Sequence, residues 1–304
     1  MTDLSTQSNK SSRSLAIVYL IFTGTMLGAS TILAKLSNTV GVNPVGFLVW
    51  SILSASVLLY AIGFFRNITF RLGGGRMAYF GIAGLVTVAA PNLIIFTAAP
   101  VVGAGFVALA IAFPPLLTYL GALLLRIEGF DRIRALGVGL ALFGAIWLAL
   151  GKMGEADVSL FWIGLTLMIP VFLAIGNIYR SLRWPAGARP EELAPGMLAA
   201  AGAILLLVGV VTGQELALPP TAPAWMLLGA QSLTFTLQFL VFFMLQRTGG
   251  PVILSLLGAV AAIVTVPLSV MLLAEDVPNG LLIGGIAIGL GIFCVTRKPA
   301  APQT

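Results

Sequence analysis

Residues Leu116 to Trp147 read LLTYLGALLLRIEGFDRIRALGVGLALFGAIW, two apolar runs joined by the charged hinge RIEGFDRIR. The stretch has an echo 147 residues further on, where Leu125, Glu128, Gly137 and Gly144 fall on Leu272, Glu275, Gly284 and Gly291. The second hinge, AEDVPN, keeps the acid and carries no Arg. A unit that occurs twice, once with a basic and once with an acidic hinge, points to two copies inserted in a membrane with opposite orientation. Chance similarity between Gly/Leu-rich helices is the competing explanation, so the rest of the chain has to carry weight of its own.

Working outward from that stretch, the chain has 304 residues, 59% apolar and 9% charged. Soluble domains carry about 25% charged residues, so a polytopic membrane protein is expected. There is no His, and the one Cys, Cys294, lies in an apolar run. Disulfide frameworks and Cys/His metal sites are thereby excluded, and no metal or cofactor is expected. The net charge of +6 is read as a topology signal rather than a nucleic-acid footprint.

Apolar spans are expected at about 15–36, 44–65, 77–99, 101–125, 135–151, 159–179, 193–213, 223–246, 251–274 and 279–296. Most have about 20 residues, which as helices match a hydrocarbon core of about 30 Å. Helix is required because lipid offers the backbone no other partner. With the N-terminus in the cytoplasm, 14 of the 16 basic residues, Arg180 and Arg183 among them, fall on the inner side and only Lys35 and Lys152 on the outer. Five spans is an odd number, so a second set of five runs upside down relative to the first. The expected fold is therefore an all-α membrane protein of ten transmembrane helices in two inverted five-helix repeats, both termini cytoplasmic. Its divisions are a disordered tail at 1–14, a first repeat at 15–151, a linker at 152–158, a second repeat at 159–297 and a tail at 298–304. Inverted repeats are a common transporter architecture with substrate near the midplane.

A second echo opens each half. LGASTILAK (27–35) holds Gly28 and Lys35, and IGNIYRSLR (175–183) holds Gly176 and Arg183. Together with the ten-span layout, this pattern resembles the drug/metabolite transporter superfamily of the EamA type over about residues 15–297. The usual Trp before the first Gly is Leu27 here. The resemblance implies a ten-helix transporter in the cell inner membrane, and by overall similarity it extends to the amino-acid and metabolite exporters, in particular the aromatic amino-acid exporter branch.

Residues that carry chemistry are few. No GxxxxGK[ST] loop is present, which argues against ATP hydrolysis, and the absence of His rules out Ser-His triads. Every Asp and Glu lies in a loop, a tail or a span end, so a buried carboxylate relay is not expected. Glu128 and Glu275 are read as solvated hinge charges ahead of gate contacts. An enzyme is not expected.

Lys35 has two open readings: snorkelling to the interface, or facing a cavity and attracting a substrate carboxylate. Its counterpart Arg183 is read as a topological anchor. Asn92, Asn177, Gln231 and Gln238 lie at mid-depth, where a primary amide needs partners; each either joins helices or faces a wet cavity. Gln231, Thr234 and Gln238 recur at i, i+3 and i+7, one polar stripe on a helix. Tyr79, Phe96 and Tyr179 are aromatic candidates for the cavity wall, with packing the bland alternative. Pro91, Pro114, Pro115, Pro170 and Pro267 lie inside spans, where each removes a helical hydrogen bond and introduces a kink that gating can use. The GxxxG pairs Gly24/Gly28 and Gly285/Gly289 mark close helix packing.

The expected function is a secondary transporter, an exporter or facilitator of amino acids or related small metabolites, working by alternating access. Its partners are a small-molecule substrate and membrane lipids, with no nucleic acid. The alternatives are a lipid flippase or scramblase, or export of another metabolite on the same fold.

Overall fold

The computed structural model describes residues 2–71, 73, 75–126, 129–153, 159–277 and 280–296. Every regular element among them is helical. In order these are α1 (Thr2–Thr39), α2 (Pro44–Phe65), α3 (Arg76–Ala83), a π-turn (Gly84–Ala89), α4 (Ala90–Val102), α5 (Ala104–Ile111), α6 (Pro114–Leu124), α7 (Arg132–Met153), α8 (Leu160–Thr166), α9 (Ile169–Leu182), α10 (Pro190–Val211), α11 (Ala222–Ser255), α12 (Leu257–Leu273) and α13 (Leu281–Thr296). Among the described residues seven stretches are long and apolar enough to cross a membrane: Ser14–Thr39, Pro44–Phe65, Arg76–Val102, Ala104–Gly121, Leu160–Leu182, Pro190–Val211 and Ala222–Thr248. α12 and α13 are shorter apolar helices. Large apolar side chains such as Val57, Leu207, Ile263 and Met271 point outward, as a lipid-facing surface requires.

Lipid is as apolar as leucine, so burying apolar area does little to choose helix partners; close packing and polar bonds do that instead. α7 and α13 show the first device. A Cβ on Gly137 would lie 2.7 Å from the Gly291 carbonyl oxygen, and one on Gly144 would lie 2.6 Å from that of Gly284. The converse contacts would be 2.5 Å and 3.1 Å. The four glycines of the 147-residue echo therefore face each other across one antiparallel crossing. Gly24 and Gly28 press against Val260, Ala261 and Thr265 of α12 in the same way. Among the described residues a Cβ on Gly289 would meet nothing within 4 Å and one on Gly285 would touch Leu281 of its own helix, so no close packing of that pair is seen there.

The main helix pairings are α7–α13, α1–α11, α2–α10, α1–α12, α5–α12, α6–α9 and the contact of the Arg76–Val102 segment with α8 and α9. Exchanging the segments of 15–151, in order, for those of 159–297 leaves this list unchanged. Polar bonds supplement it. Ser56 donates to the Pro195 carbonyl at 2.9 Å, Trp50 donates to the Leu216 carbonyl at 2.7 Å, and Arg76 pairs with Glu192 at 2.8 Å.

Two sequence expectations change here. The polar N-terminal segment, expected to be disordered, continues α1 from Thr2; a helix already nucleated by the span extends at little cost. The spans expected at 101–125 and 159–179 are each interrupted, at Ala112–Phe113 and at Leu167–Met168. Most of the expected linker, Glu128 and the tail at 298–304 lie outside the described residues.

Candidate transport cavity

Proline placement shapes the centre of the molecule. Pro91 has no N–H for the Thr87 carbonyl, and its ring crowds that carbonyl in a regular α-turn. The chain widens into the π-turn Gly84–Ala89 just before it; such turns insert one residue and recur at functional sites. Beside it Asn92 donates from Nδ2 to the Val88 carbonyl at 2.8 Å. Pro114 and Pro115 start α6 after the first break, and Pro170 starts α9 after the second. Near the first break α12 comes so close that a Cβ on Gly258 would overlap the Ile111 carbonyl oxygen. Only glycine fits there.

Between these interrupted helices lies a narrow cavity. Its polar lining is Thr87, Asn92, Asn177, Arg180 and Gln238, and its apolar wall includes Leu27, Leu173, Phe239 and Phe242. Arg180 also lines a wider cleft beside Trp184, Arg189 and Gln246, so its guanidinium stands between cavity and cleft.

Arg180 is fully buried. Its Nη1 donates to Thr87 Oγ1 at 2.6 Å, Nη2 to Asn177 Oδ1 at 2.8 Å and Nε to Gln246 Oε1 at 3.2 Å. Its Cζ lies 4.8 Å from the Phe242 ring centroid. All of these partners are neutral, and among the described residues the ion pairs are Lys35–Glu275 and Arg76–Glu192. An arginine has five N–H donors, so each Nη keeps one that no described bond engages. The side chain is held in place by four groups while its charge stays uncompensated.

The far end of the bundle is shut by a second polar cluster. Lys35, near the end of α1, pairs with Glu275 just beyond α12. The same carboxylate accepts from the Ala104 N–H at 2.8 Å and the Gly105 N–H at 3.2 Å, closing the N-terminus of α5. Gly103 makes the turn into α5 with φ 89°, and a Cβ there would lie 3.2 Å from the carboxylate. Burial pushes the Glu275 carboxyl up, but Lys35 and the two N–H groups outweigh it and hold the group below its ordinary range. The side chains are 22% and 11% exposed. Glu275 is thus not a solvated hinge charge; its position after α12 brings it over the unsatisfied N–H groups of α5, which favour an anion.

The expected site residues separate. Asn92, Asn177, Gln238, Pro91 and Pro114 line the cavity. Lys35 is engaged by Glu275 at the closed end. Tyr79 and Tyr179 stack at 6.0 Å, with the Tyr79 hydroxyl lacking a partner among the described residues. Phe96 is core, between Phe47 and Phe235 at 6.0 Å from each. The stripe on α11 divides: Gln231 donates to Ser30 Oγ at 2.6 Å and joins two helices, while Thr234 turns back to the Ala230 carbonyl at 2.8 Å. Gln238 lines the cavity and its buried Oε1 has no partner among the described residues. Pro115, Pro170 and Pro267 are not among the lining residues. Sequence reasoning placed Arg180 with the cations of the inner side. The signal available was its i,i+3 relation to Asn177, which sets both on one helical face; Arg183, the expected anchor, is exposed.

Comparison with known proteins agrees with this architecture. Residues 14–150, somewhat less than half of the chain, match the EamA-like transporter family. One solved structure, described only as "Crystal structure of protein", superposes with a TM-score of 0.65 at 20% identity, covering 93% of this chain and 97% of its own. That likeness concerns the fold alone. No curated protein matches the chain.

Proposed function

We propose that this protein is a secondary transporter that moves small organic metabolites across the cell inner membrane by alternating access. Amino acids with aromatic or large apolar side chains are the first class to test, as in the exporter branch that the sequence resembles. In this reading ten helices form two inverted five-helix repeats with both termini cytoplasmic. The observation that carries it is the cavity between interrupted helices, which shares Arg180 with a neighbouring cleft, while Lys35, Glu275 and the N-terminus of α5 are bonded together toward the other end of the bundle. One closed end and one open end is the arrangement alternating access requires. Further support comes from the helix pairings, which are unchanged when the halves are exchanged, and from the glycine crossing of α7 and α13. No described carboxylate lines the cavity, which favours facilitated transport or exchange over proton antiport.

Counterflow in proteoliposomes tests this reading. Vesicles loaded with one unlabelled amino acid are given the same compound labelled outside, across an aromatic, apolar and polar panel. Transient accumulation without a proton gradient is expected for aromatic or large apolar members. Absence of accumulation across the panel, with lipid scrambling in the same vesicles, would replace the metabolite carrier by a lipid transporter.

A further inference from the structure

We propose that Arg180 is the carboxylate anchor of the cavity: its two free Nη N–H groups receive the substrate's carboxylate, and Gln238 Oε1 accepts a hydrogen bond from a neighbouring ammonium or hydroxyl group. The proposal rests on the transporter reading and names the substrate class of that same cavity. Two independent observations carry it. The first is a guanidinium that is fully buried, held by the neutral groups Thr87, Asn177, Gln246 and Phe242, and without a paired acid among the described residues. Removing a charge from water costs several kcal/mol unless it is compensated, so the arrangement favours an incoming anion. The second is Gln238, 5% exposed, which lines the same cavity and whose buried Oε1 has no partner among the described residues. An unpaired buried acceptor carries a desolvation cost that a donor on the ligand removes.

The geometry also separates Arg180 from Lys35, the other cation near the path. Glu275 already neutralises Lys35 at the closed end, so an anion gains little there. Arg180 has its fork fixed before any ligand arrives. A carboxylate that reaches both Nη groups can take one bond from each, which the single ammonium of lysine does not offer. The remaining wall, Leu27, Leu173 and Phe239, suits an apolar body, so the fitting ligand is an apolar molecule with a carboxylate and an adjacent donor.

The test uses purified full-length protein and three probes that share one ring: L-phenylalanine, 3-phenylpropanoate and phenylalaninamide. Binding is read as the ligand-dependent rise in melting temperature. The two carboxylates are expected to bind and the amide to fail. R180Q should weaken carboxylate binding about 10- to 100-fold. R180K, which keeps the charge without the fork, should fall between. Q238L should weaken phenylalanine more than 3-phenylpropanoate, because only the former brings a donor. Equal binding of amide and carboxylates, unchanged affinity in R180Q, or no binding by any probe overturns the assignment. If R180Q does not fold, the amide comparison on the native protein and the R180K titration decide alone. Carboxylate binding without counterflow would refute the transporter reading and leave the anchor standing; counterflow of a solute lacking a carboxylate would do the reverse.

Discussion

Neutralising Glu275 should open the closed end. Glu275→Gln keeps an acceptor for the Ala104 and Gly105 N–H groups but removes the charge that Lys35 and those donors share. Opposite unit charges about 4 Å apart attract by about 4 kcal/mol at the effective dielectric of such sites, and desolvation offsets part of this. Each hydrogen bond to a charged acceptor contributes about 1.5–3 kcal/mol against about 1 for a neutral one. A net loss of about 2–3 kcal/mol follows, and at 1.4 kcal/mol per factor of ten that shifts the closed-to-open ratio about 30- to 150-fold. The assay is the rate at which a membrane-impermeant maleimide, applied from the Glu275 face, labels a single cysteine at the cavity residue Leu27 in a Cys294→Ser background. Labelling should accelerate by that order in E275Q. The exchanged pair K35E/E275K should not restore closure, because an ammonium cannot accept from α5. Equal labelling of native and E275Q protein, or full rescue by the exchange, would refute the reasoning. The pH dependence has a definite sign. Because the carboxyl is held below its ordinary range, closure is fully supported above the usual carboxylate pKa and lost only as pH falls through the depressed value. Labelling of the native protein should therefore stay flat from neutral pH down to the ordinary carboxylate range and rise below it.

Three further outcomes are expected. Gly258→Ala should cost at least about 1–3 kcal/mol, the usual range for overpacking, since its Cβ has no room beside the Ile111 carbonyl; an unchanged melting temperature in detergent would contradict the close approach. Arg76→Met leaves Glu192 buried without its cation, the two side chains being 8% and 10% exposed, and should destabilise by about 3–5 kcal/mol; the double variant R76M/E192M should recover most of this in the same melt. Gln231→Leu should lower stability with little change in substrate affinity, whereas Gln238→Leu should lower affinity with little change in stability; counterflow and thermal melts on both variants separate the two roles, and identical profiles would remove the distinction.

Much of the fold was legible because membrane insertion writes itself into composition and spacing. The glycines at a 147-residue offset were visible as a repeat, and the structure gives their reason: Gly137, Gly144, Gly284 and Gly291 are the surface on which α7 and α13 cross. The prolines were visible as kinks, and Pro91 and Pro114 do border the cavity. The interior of the site was less legible. Gln231 and Gln238 are the same residue type on the same helix, yet one meets Ser30 and the other an open space; only the position of α1 separates them. Arg180 lies near the end of its span, where a cation ordinarily snorkels, and nothing in the chain's order shows that Thr87 and Gln246 draw it inward. Glu275 looked like a hinge acid because α5, the helix it closes, begins 171 residues earlier at Ala104.

The π-turn Gly84–Ala89 makes chain length itself a determinant at this point. Losing one residue there would leave hydropathy, charge and span count untouched, yet it would restore an α-turn and rotate the preceding α3 by about 100° relative to α4. Arg76 would leave Glu192 and Tyr79 would leave Tyr179 in a single step. A one-residue gap in this window, which a composition-based comparison would pass over as neutral, thus separates chains that can build this wall of the cavity from chains that cannot.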